Sequence, residues 1–273
     1  MCRDSNARRA NSVLVLDADS KLRVYMMMTC TLVQTLNLSD YMVGRLISGM
    51  AVTDKHELVV VDLRAAYLVD AVSGRLIRVV GSGRAAGRLL GEPIGAATAG
   101  DGRLVFSDRA DQTAKLFSAR GHHVRTVAGL GLSNVAGVAV ARPGGDVYVA
   151  GSGSHGVALV RGAAATARAD TVVDVQYLSD FVHPYSVAVS PATGDVIVGD
   201  DHAQTVGLSR HCFDDEMRYK QYQSVSQSTS LQCFDTVGWA SRRASGLYKL
   251  SDQVLVWWLC VRSDVQIVCI WSS

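Results

Sequence analysis

Short apolar runs punctuated by polar turns recur along this chain with a period of about 45 residues. Five of these runs end on a small or acidic residue: LVLD (14–17), VVVD (59–62), VFSD (105–108), VYVAG (147–151) and VIVGD (196–200). The closing residues follow one another at steps of 45, 46, 43 and 49 residues, and they are Asp17, Asp62, Asp108, Gly151 and Asp200. A period of this length is typical of the four-stranded blades of a β-propeller.

Further apolar runs accompany the closing strands, up to three for each, although the first closing strand has no preceding run. The preceding run is GMAV (49–52), GAAT (95–98), GVAV (137–140) or SVAV (186–189). Glycine, aspartate and proline fill the short segment between the two runs, as in antiparallel hairpins. The runs that follow are KLRVY (21–25), AKLF (114–117) and VALV (157–160), and then LVQTL (32–36), RLIRVV (75–80), HVRTVA (123–128) and TVVDV (171–175). The pattern predicts an all-β protein, an incomplete β-propeller of four-stranded antiparallel blades with about four to five recognisable blades.

The repeats divide the chain into three parts. Residues 1–12 form an N-terminal extension, residues 13–209 carry the blades, and residues 210–273 form a divergent tail that contains all 4 tryptophans. Two apolar runs lie within 254–271 on either side of Arg262-Ser263-Asp264 and suggest a hairpin. The tail is either a degenerate closing blade, which would pair with the first strands, or a non-native segment joined to a truncated propeller, and we favour the second interpretation. Closure removes an exposed sheet edge, whereas an open propeller exposes two of them.

Composition and charge limit the expected location of the protein and the ligands it is expected to bind. The 273 residues are 48% hydrophobic and carry a formal net charge of +2, which gives no reason to expect DNA binding. No uncharged apolar stretch reaches about 18 residues, and residues 1–12 lack an apolar core of a signal peptide, so we expect a cytoplasmic protein that does not engage a membrane. The six cysteines include no C-x-x-C pair. We therefore expect reduced thiols, no metal site and no cofactor.

The units resemble NHL repeats. Residues 81–108 show the pattern best, with spaced glycines, then Glu92-Pro93-Ile94-Gly95 and a strand that ends at Asp108. A second copy opens at His183-Pro184. The resemblance implies a recognition propeller such as the C-terminal domain of tripartite-motif ubiquitin ligases, which selects a protein or RNA target. A RING finger or B-box needs closely spaced Cys and His pairs, which this sequence does not contain.

The closing residues Asp17, Asp62, Asp108 and Asp200 are predicted to end equivalent strands. Aspartate side chains in such turns accept hydrogen bonds from backbone N–H groups nearby. We therefore expect each of these four side chains to accept backbone N–H groups of the turn that follows it and so to hold that turn together. They are the structural positions of the repeat, and none of them is expected to react chemically.

The placement of arginines gives the only indication of a binding site. We name the strands of a blade a to d; the b–c turns and d–a linkers then share one face, where we expect Arg64, Arg84, Arg88 and Arg109 to form a basic patch. Such a patch suits a protein partner first and RNA second. We expect no catalytic activity. The alternatives are a propeller enzyme of the lactonase or amidating-lyase type with a metal in its channel, or a truncated fragment without a function of its own.

Overall fold

The computed structural model describes the chain with gaps. The described residues are 12–17, 20–26, 31–38, 42, 46–55, 57–81, 89–141, 144–162, 175–179, 181–190, 194–200, 205–209, 247–249, 255–257 and 265–271. Within these ranges the structure consists of antiparallel β-strands. No helix in the described part is long and apolar enough to cross a membrane.

The strands group into five successive blades, with strand a innermost. Blade 1 contains β1 (Ser12–Asp17), β2 (Lys21–Met26) and β3 (Leu32–Asn37). Blade 2 contains β4 (Ile47–Val52), β5 (Glu57–Asp62), β6 (Ala66–Asp70) and β7 (Leu76–Val80). Blade 3 contains β8 (Pro93–Thr98), β9 (Leu104–Asp108), β10 (Thr113–Phe117) and β11 (His123–Val127). Blade 4 contains β12 (Val135–Val140), β13 (Val147–Gly151), β14 (Gly156–Val160) and β15 (Val175–Leu178), and blade 5 contains β16 (Pro184–Val189), β17 (Val196–Asp200) and β18 (Thr205–Ser209).

These sheets confirm the predicted fold class. Blades 2, 3 and 4 each form a four-stranded antiparallel sheet, and blade 5 has three described strands. The inner strands contact one another around the centre in the order β4, β8, β12 and β16, as in a propeller. In blade 4 the position of strand d differs from the prediction. It begins at Val175 and pairs Val157 with Leu178, so the predicted run 171–175 overlaps it by a single residue.

Blade 1 receives its inner strand from the other end of the chain. Strand β21 (Val265–Trp271) pairs antiparallel with β1, from Ser12 opposite Trp271 to Leu16 opposite Ile267, and completes a four-stranded sheet. This pairing is the one that a closing blade requires. The remaining strands, β19 (Leu247–Lys249) and β20 (Leu255–Trp257), pair with each other, so the hairpin predicted within 254–271 is wrong as a pairing of its two runs. Residues 210–246 lie outside the described part, and the boundary at residue 209 stays a prediction.

The hydrophobic core lies between blades. In blades 2, 3 and 4, strands b and c are buried on both faces, which explains why these strands are continuous apolar runs without alternation. In β13, Val149 packs toward blade 3 while Tyr148 packs toward blade 5. Separate clusters of this kind fill the spaces between blades 1 and 2, 2 and 3, 3 and 4, and 4 and 5. The stability of every blade therefore depends on its neighbours.

Glycines allow the inner strands to approach one another at backbone distance. A Cβ on Gly49 would lie 2.5 Å from the carbonyl oxygen of Ile94 in the next blade, and one on Gly137 would lie 2.6 Å from Cα of Ser186. Gly95, between them, has the backbone of Ala136 and Val138 at 3.0 Å from its Cβ position. These glycines occupy one equivalent position of strand a in blades 2, 3 and 4. The absence of a side chain there sets how tightly the blades close around the centre.

We predict that Gly49→Ala and Gly137→Ala each destabilise the protein by about 1–3 kcal/mol, because the added methyl group meets backbone that cannot rotate away. The midpoint and slope of urea denaturation measure this loss. Gly144→Ala is the matched control, since its Cβ would meet only the side chain of Asp146 at 4.0 Å. Equal stability of all three variants would contradict the close approach of the inner strands.

Candidate binding surface

One face of the propeller is formed by the b–c turns and the d–a linkers. Antiparallel order places the end of strand b, the start of strand c and the start of strand a at the same side of every blade. We call this surface the b–c face. It contains the closing residue of each blade and two of the four predicted arginines within the described part of the chain.

Asp108 fixes the linker that enters blade 3. Its carboxylate accepts hydrogen bonds from the N–H of Gly91 at 2.7 Å and of Glu92 at 2.8 Å, and from Nζ of Lys115 at 2.7 Å. Lys115 is buried, and its ammonium also donates to the carbonyl oxygen of Leu89 at 2.9 Å and pairs with Asp111 at 2.6 Å. The turn and the linker are therefore joined by one buried charge pair.

Burial and hydrogen bonding act on the pKa of Asp108 in opposite directions. Burial raises the pKa, whereas the Glu92 N–H, the Lys115 ammonium and the Gly91 N–H lower it, and together they hold it below its ordinary value of 3.8. For Lys115, burial lowers the pKa, and the hydrogen bonds to Asp108 and Asp111 outweigh that effect and raise it. Both groups stay charged at neutral pH.

Asp200 repeats this arrangement in blade 5, and Asp62 differs. The Asp200 carboxylate accepts the N–H of Val182 at 2.6 Å and of His183 at 3.0 Å, in the linker that precedes Pro184. The Asp62 carboxylate accepts the N–H groups of its own b–c turn, from Arg64 at 2.7 Å and Ala65 at 2.7 Å, and the Tyr67 hydroxyl at 3.0 Å. Asp17 ends β1, and its side chain lies outside the described part.

Serine and asparagine replace the missing aspartate in blade 4. The N–H of Ser152 donates to the carbonyl oxygen of Asn134 at 3.2 Å, and the Ser152 hydroxyl donates to the same oxygen at 3.1 Å. The N–H of Ser133 donates to the Ser154 hydroxyl at 3.3 Å. A Cβ at Gly151 would lie 2.5 Å from that hydroxyl oxygen, so an aspartate does not fit. The sequence departure at Gly151 is therefore compensated within the same turn.

In blades 1, 3 and 4, the last residue of the b–c turn forms a hydrogen bond to the segment that enters the following blade. We call this contact a strap. Ser20, Gln112 and His155 have φ values of 59°, 58° and 57°, in the left-handed region that non-glycine residues seldom adopt. The Ser20 hydroxyl donates to the carbonyl oxygen of Met42 at 3.1 Å, and Oε1 of Gln112 accepts the N–H of Val135 at 3.0 Å. Nδ1 of His155 bonds the carbonyl oxygen of Val182. These straps were not predicted from the sequence, because the three residue types differ.

The predicted basic patch is only partly described. Arg64 is exposed in the b–c turn of blade 2. Arg109, in the equivalent turn of blade 3, is half-buried and forms an ion pair with Glu92, whose hydrogen bond raises the pKa of the guanidinium. Arg84 and Arg88 lie in the linker outside the described residues. Glu92 thus offsets part of the positive potential that the four arginines were expected to produce.

The described residues contain no group of three His, Cys, Asp or Glu side chains placed to hold a metal ion. Along the described inner strands, the residues at the closest approach are Gly49, Gly95, Gly137 and Ser186, which offer no carboxylate or imidazole. A site in the channel would need such ligands.

Comparison with known proteins shows the fold. No family model matches the sequence, and the search of curated proteins finds no match. A protein of unknown function from Bacteroides caccae is similar in structure, with a TM-score of 0.57 and 14% identity over 79% of this chain and 73% of that one. Virginiamycin B lyase from Staphylococcus aureus, in a catalytically inactive form with quinupristin, has a TM-score of 0.52 and 9% identity over 77% and 68%. The RRP9 WD40 repeats have a TM-score of 0.50 and 16% identity over 61% and 48%.

The expectation that this chain is not an enzyme was wrong as an inference from its architecture. A lyase shares the fold as fully as a set of WD40 repeats does, and both do so at low identity. A propeller scaffold carries catalytic and binding functions alike, because function resides in the turns that each sequence places on it. The fold gives no ground to exclude catalysis.

We predict that Asp108→Asn lowers the free energy of unfolding at pH 7 by about 2–3 kcal/mol, because the buried Lys115 ammonium then keeps only the half-exposed carboxylate of Asp111 as a charged partner. In the native protein the depressed pKa of Asp108 stabilises the fold above the unfolded value of 3.8, and this contribution is lost as the pH falls through the folded pKa. Urea denaturation between pH 2 and 7 should therefore show a steeper acid loss for the native protein than for the variant.

Asp54→Asn, in an exposed a–b turn, is the control and should change stability by no more than about 0.5 kcal/mol. If Asp108→Asn behaves like this control at every pH, the buried pair does not hold the linker.

Proposed function

We propose that this propeller is a recognition module that binds a protein partner through the b–c face. The observation that carries the proposal is the way the face is built. Hydrogen bonds of Ser20, Gln112 and His155 tie the turns of blades 1, 3 and 4 to the segments that enter blades 2, 4 and 5. Asp108 and Asp200 fix the linkers that enter blades 3 and 5. A surface of turns fixed in this way loses little conformational entropy on binding.

The arginines define the chemistry of the partner. Arg64 is exposed, and Arg109 is held by Glu92 at the entry to blade 3. Guanidinium groups bind carboxylates in a bidentate manner, so the face suits an acidic segment of a protein. An incoming carboxylate either shares Arg109 with Glu92 or displaces it, which favours a partner with several acidic residues. RNA is the alternative ligand, and its phosphates would use the same arginines.

The assignment of these blades to the NHL type rests on the repeat pattern. The glycine-spaced approach, the prolines Pro93 and Pro184 and the closing aspartates support blades of the NHL type. A role as the target-selecting part of a tripartite-motif-like ubiquitin ligase in the cytoplasm is what that resemblance implies for a parent protein.

We predict that changing Arg64, Arg84, Arg88 and Arg109 together to glutamate abolishes partner binding, because it reverses the sign of the patch. The test compares proteins that co-purify from cell lysate with the native chain and with the variant, identified by mass spectrometry. The matched control changes Lys55, Arg103 and Arg161 on the opposite face to glutamate, together with Arg168, which lies outside the described residues.

Partners that are lost with the first variant and kept with the second support the proposal. Retention of the same partners by both variants would place recognition elsewhere. Loss of binding after nuclease treatment, with affinity that falls steeply as salt rises, would identify RNA as the ligand.

A further inference from the structure

A second surface lies on the outer rim of blades 1 and 2, away from the b–c face. Apolar side chains are exposed on the outer strands of both blades and on the turn between β6 and β7. Their exposed fractions are 48% for Val33, 51% for Val72, 36% for Ile77 and 39% for Val79. We call these four residues the rim patch.

The geometry brings the two blades together at this patch. Nε2 of Gln34 donates to the carbonyl oxygen of Val72 at 3.1 Å, which holds β3 against the turn of blade 2. The guanidinium of Arg78 bonds the carbonyl oxygen of Arg120 in blade 3. Because successive side chains of a strand point to opposite faces, Val79 faces blade 1, on the side of Gln34. Val72 and Val79 therefore lie at the seam between the two blades, and Val33 precedes Gln34 in β3.

The equivalent rim of blade 3 is polar. Tyr67 pairs with Val79, and the equivalent pair in blade 3 is Lys115 with Thr126, so an exposed threonine stands where blade 2 has a valine. The neighbouring exposed residues of blade 3 are His122 and His123. At this position blade 1 also has an exposed threonine, Thr35, and blade 4 exposes Tyr177, so the aliphatic residue is specific to blade 2 and is not a requirement of the repeat.

The charges around the rim patch indicate which kind of partner it can bind. Arg75 lies in the c–d turn beside the patch, and Arg78 and Arg120 lie on the other face of β7, toward blade 3. The one carboxylate of this turn, Asp70, already accepts hydrogen bonds from the N–H of Val72 at 3.0 Å and of Ser73 at 2.7 Å. Hydrogen bonding by Ser73 holds the pKa of Asp70 below its ordinary value, so the carboxylate stays ionised and engaged within the turn. The net charge of these side chains is therefore positive.

A second copy of this chain is a poor occupant. Antiparallel pairing of β7 with the β7 of another copy would bring like arginines together, which is unfavourable. An extended segment that alternates apolar and acidic residues matches both features, since β7 is an edge strand that pairs with no other described strand on its outer side. We propose that the rim patch is a docking site for an extended apolar–acidic segment of a partner protein.

Fluorescence anisotropy with labelled ten-residue peptides tests the proposal on the full chain. The probe alternates leucine with glutamate, and the matched peptide alternates leucine with lysine. We expect saturable binding of the leucine–glutamate peptide, at least tenfold weaker binding of the leucine–lysine peptide, and a loss of affinity as salt is raised. Absence of binding, or equal binding of both peptides, would overturn the proposal.

Variants locate the site. Val72→Asp with Val79→Asp should weaken binding of the leucine–glutamate peptide at least tenfold, because it removes the apolar contact and adds repulsion. Ala119→Asp with Thr126→Asp, at the equivalent positions of blade 3, should leave the affinity within twofold. The thermal transition of each variant establishes that it folds. Equal loss with both pairs, or none with either, would show that the peptide binds elsewhere.

Sedimentation of the native chain tests the other possible occupant of the rim patch, which is a second copy of the chain. If the native chain is a dimer and Val72→Asp with Val79→Asp makes it a monomer, the rim patch joins two copies and the proposal is wrong. We expect the same sedimentation behaviour for the native chain and for this variant. The test is independent of the b–c face, since the arginine variant of that face should still bind the peptide.

Discussion

The close approach of the inner strands is the constraint on which the rest of this propeller depends. At Gly49, Gly95 and Gly137 the backbone of one blade lies where a side chain would otherwise stand. This spacing lets the apolar strands b and c of neighbouring blades meet and bury both of their faces. A blade that moved outward to admit a Cβ would open the packed layer behind it. Close packing transmits such a shift because the interior has few voids to absorb it.

A second constraint acts on polar groups: hydrogen bonds fix the linkers at the b–c face. Each linker must descend to the centre after the outer strand, and its backbone N–H groups lose water as it does so. Asp108 and Asp200 accept these groups, while in blade 4 the Ser154 hydroxyl accepts the N–H of Ser133. In blade 3 the buried Lys115 balances the carboxylate charge. Different side chains thus meet one requirement, the pairing of buried backbone donors.

Much of the fold could be predicted from the sequence because periodicity reports burial. The closing residues and the inner runs recur in register, so the strand order follows without knowledge of any contact. Strand d of blade 4 was misplaced because the apolar run 171–175 resembles a strand as well as Val175–Leu178 does. The strap residues Ser20, Gln112 and His155 were missed because they share a backbone conformation and not a side-chain chemistry. Lys115 was detectable, since it is the one charge in an otherwise apolar strand.

The burial of strands on both faces also decides where function can reside. Side chains of strands b and c are committed to the spaces between blades, and the described inner strands meet at glycine. Chemistry that varies between proteins of this architecture must therefore be carried by turns, linkers and outer strands. The same reasoning explains why a lyase and WD40 repeats share the fold at low identity. In this chain the turns carry arginines and hydrogen-bonding straps, and the outer strand of blade 2 exposes aliphatic side chains, so the two surfaces proposed for recognition lie at separate places.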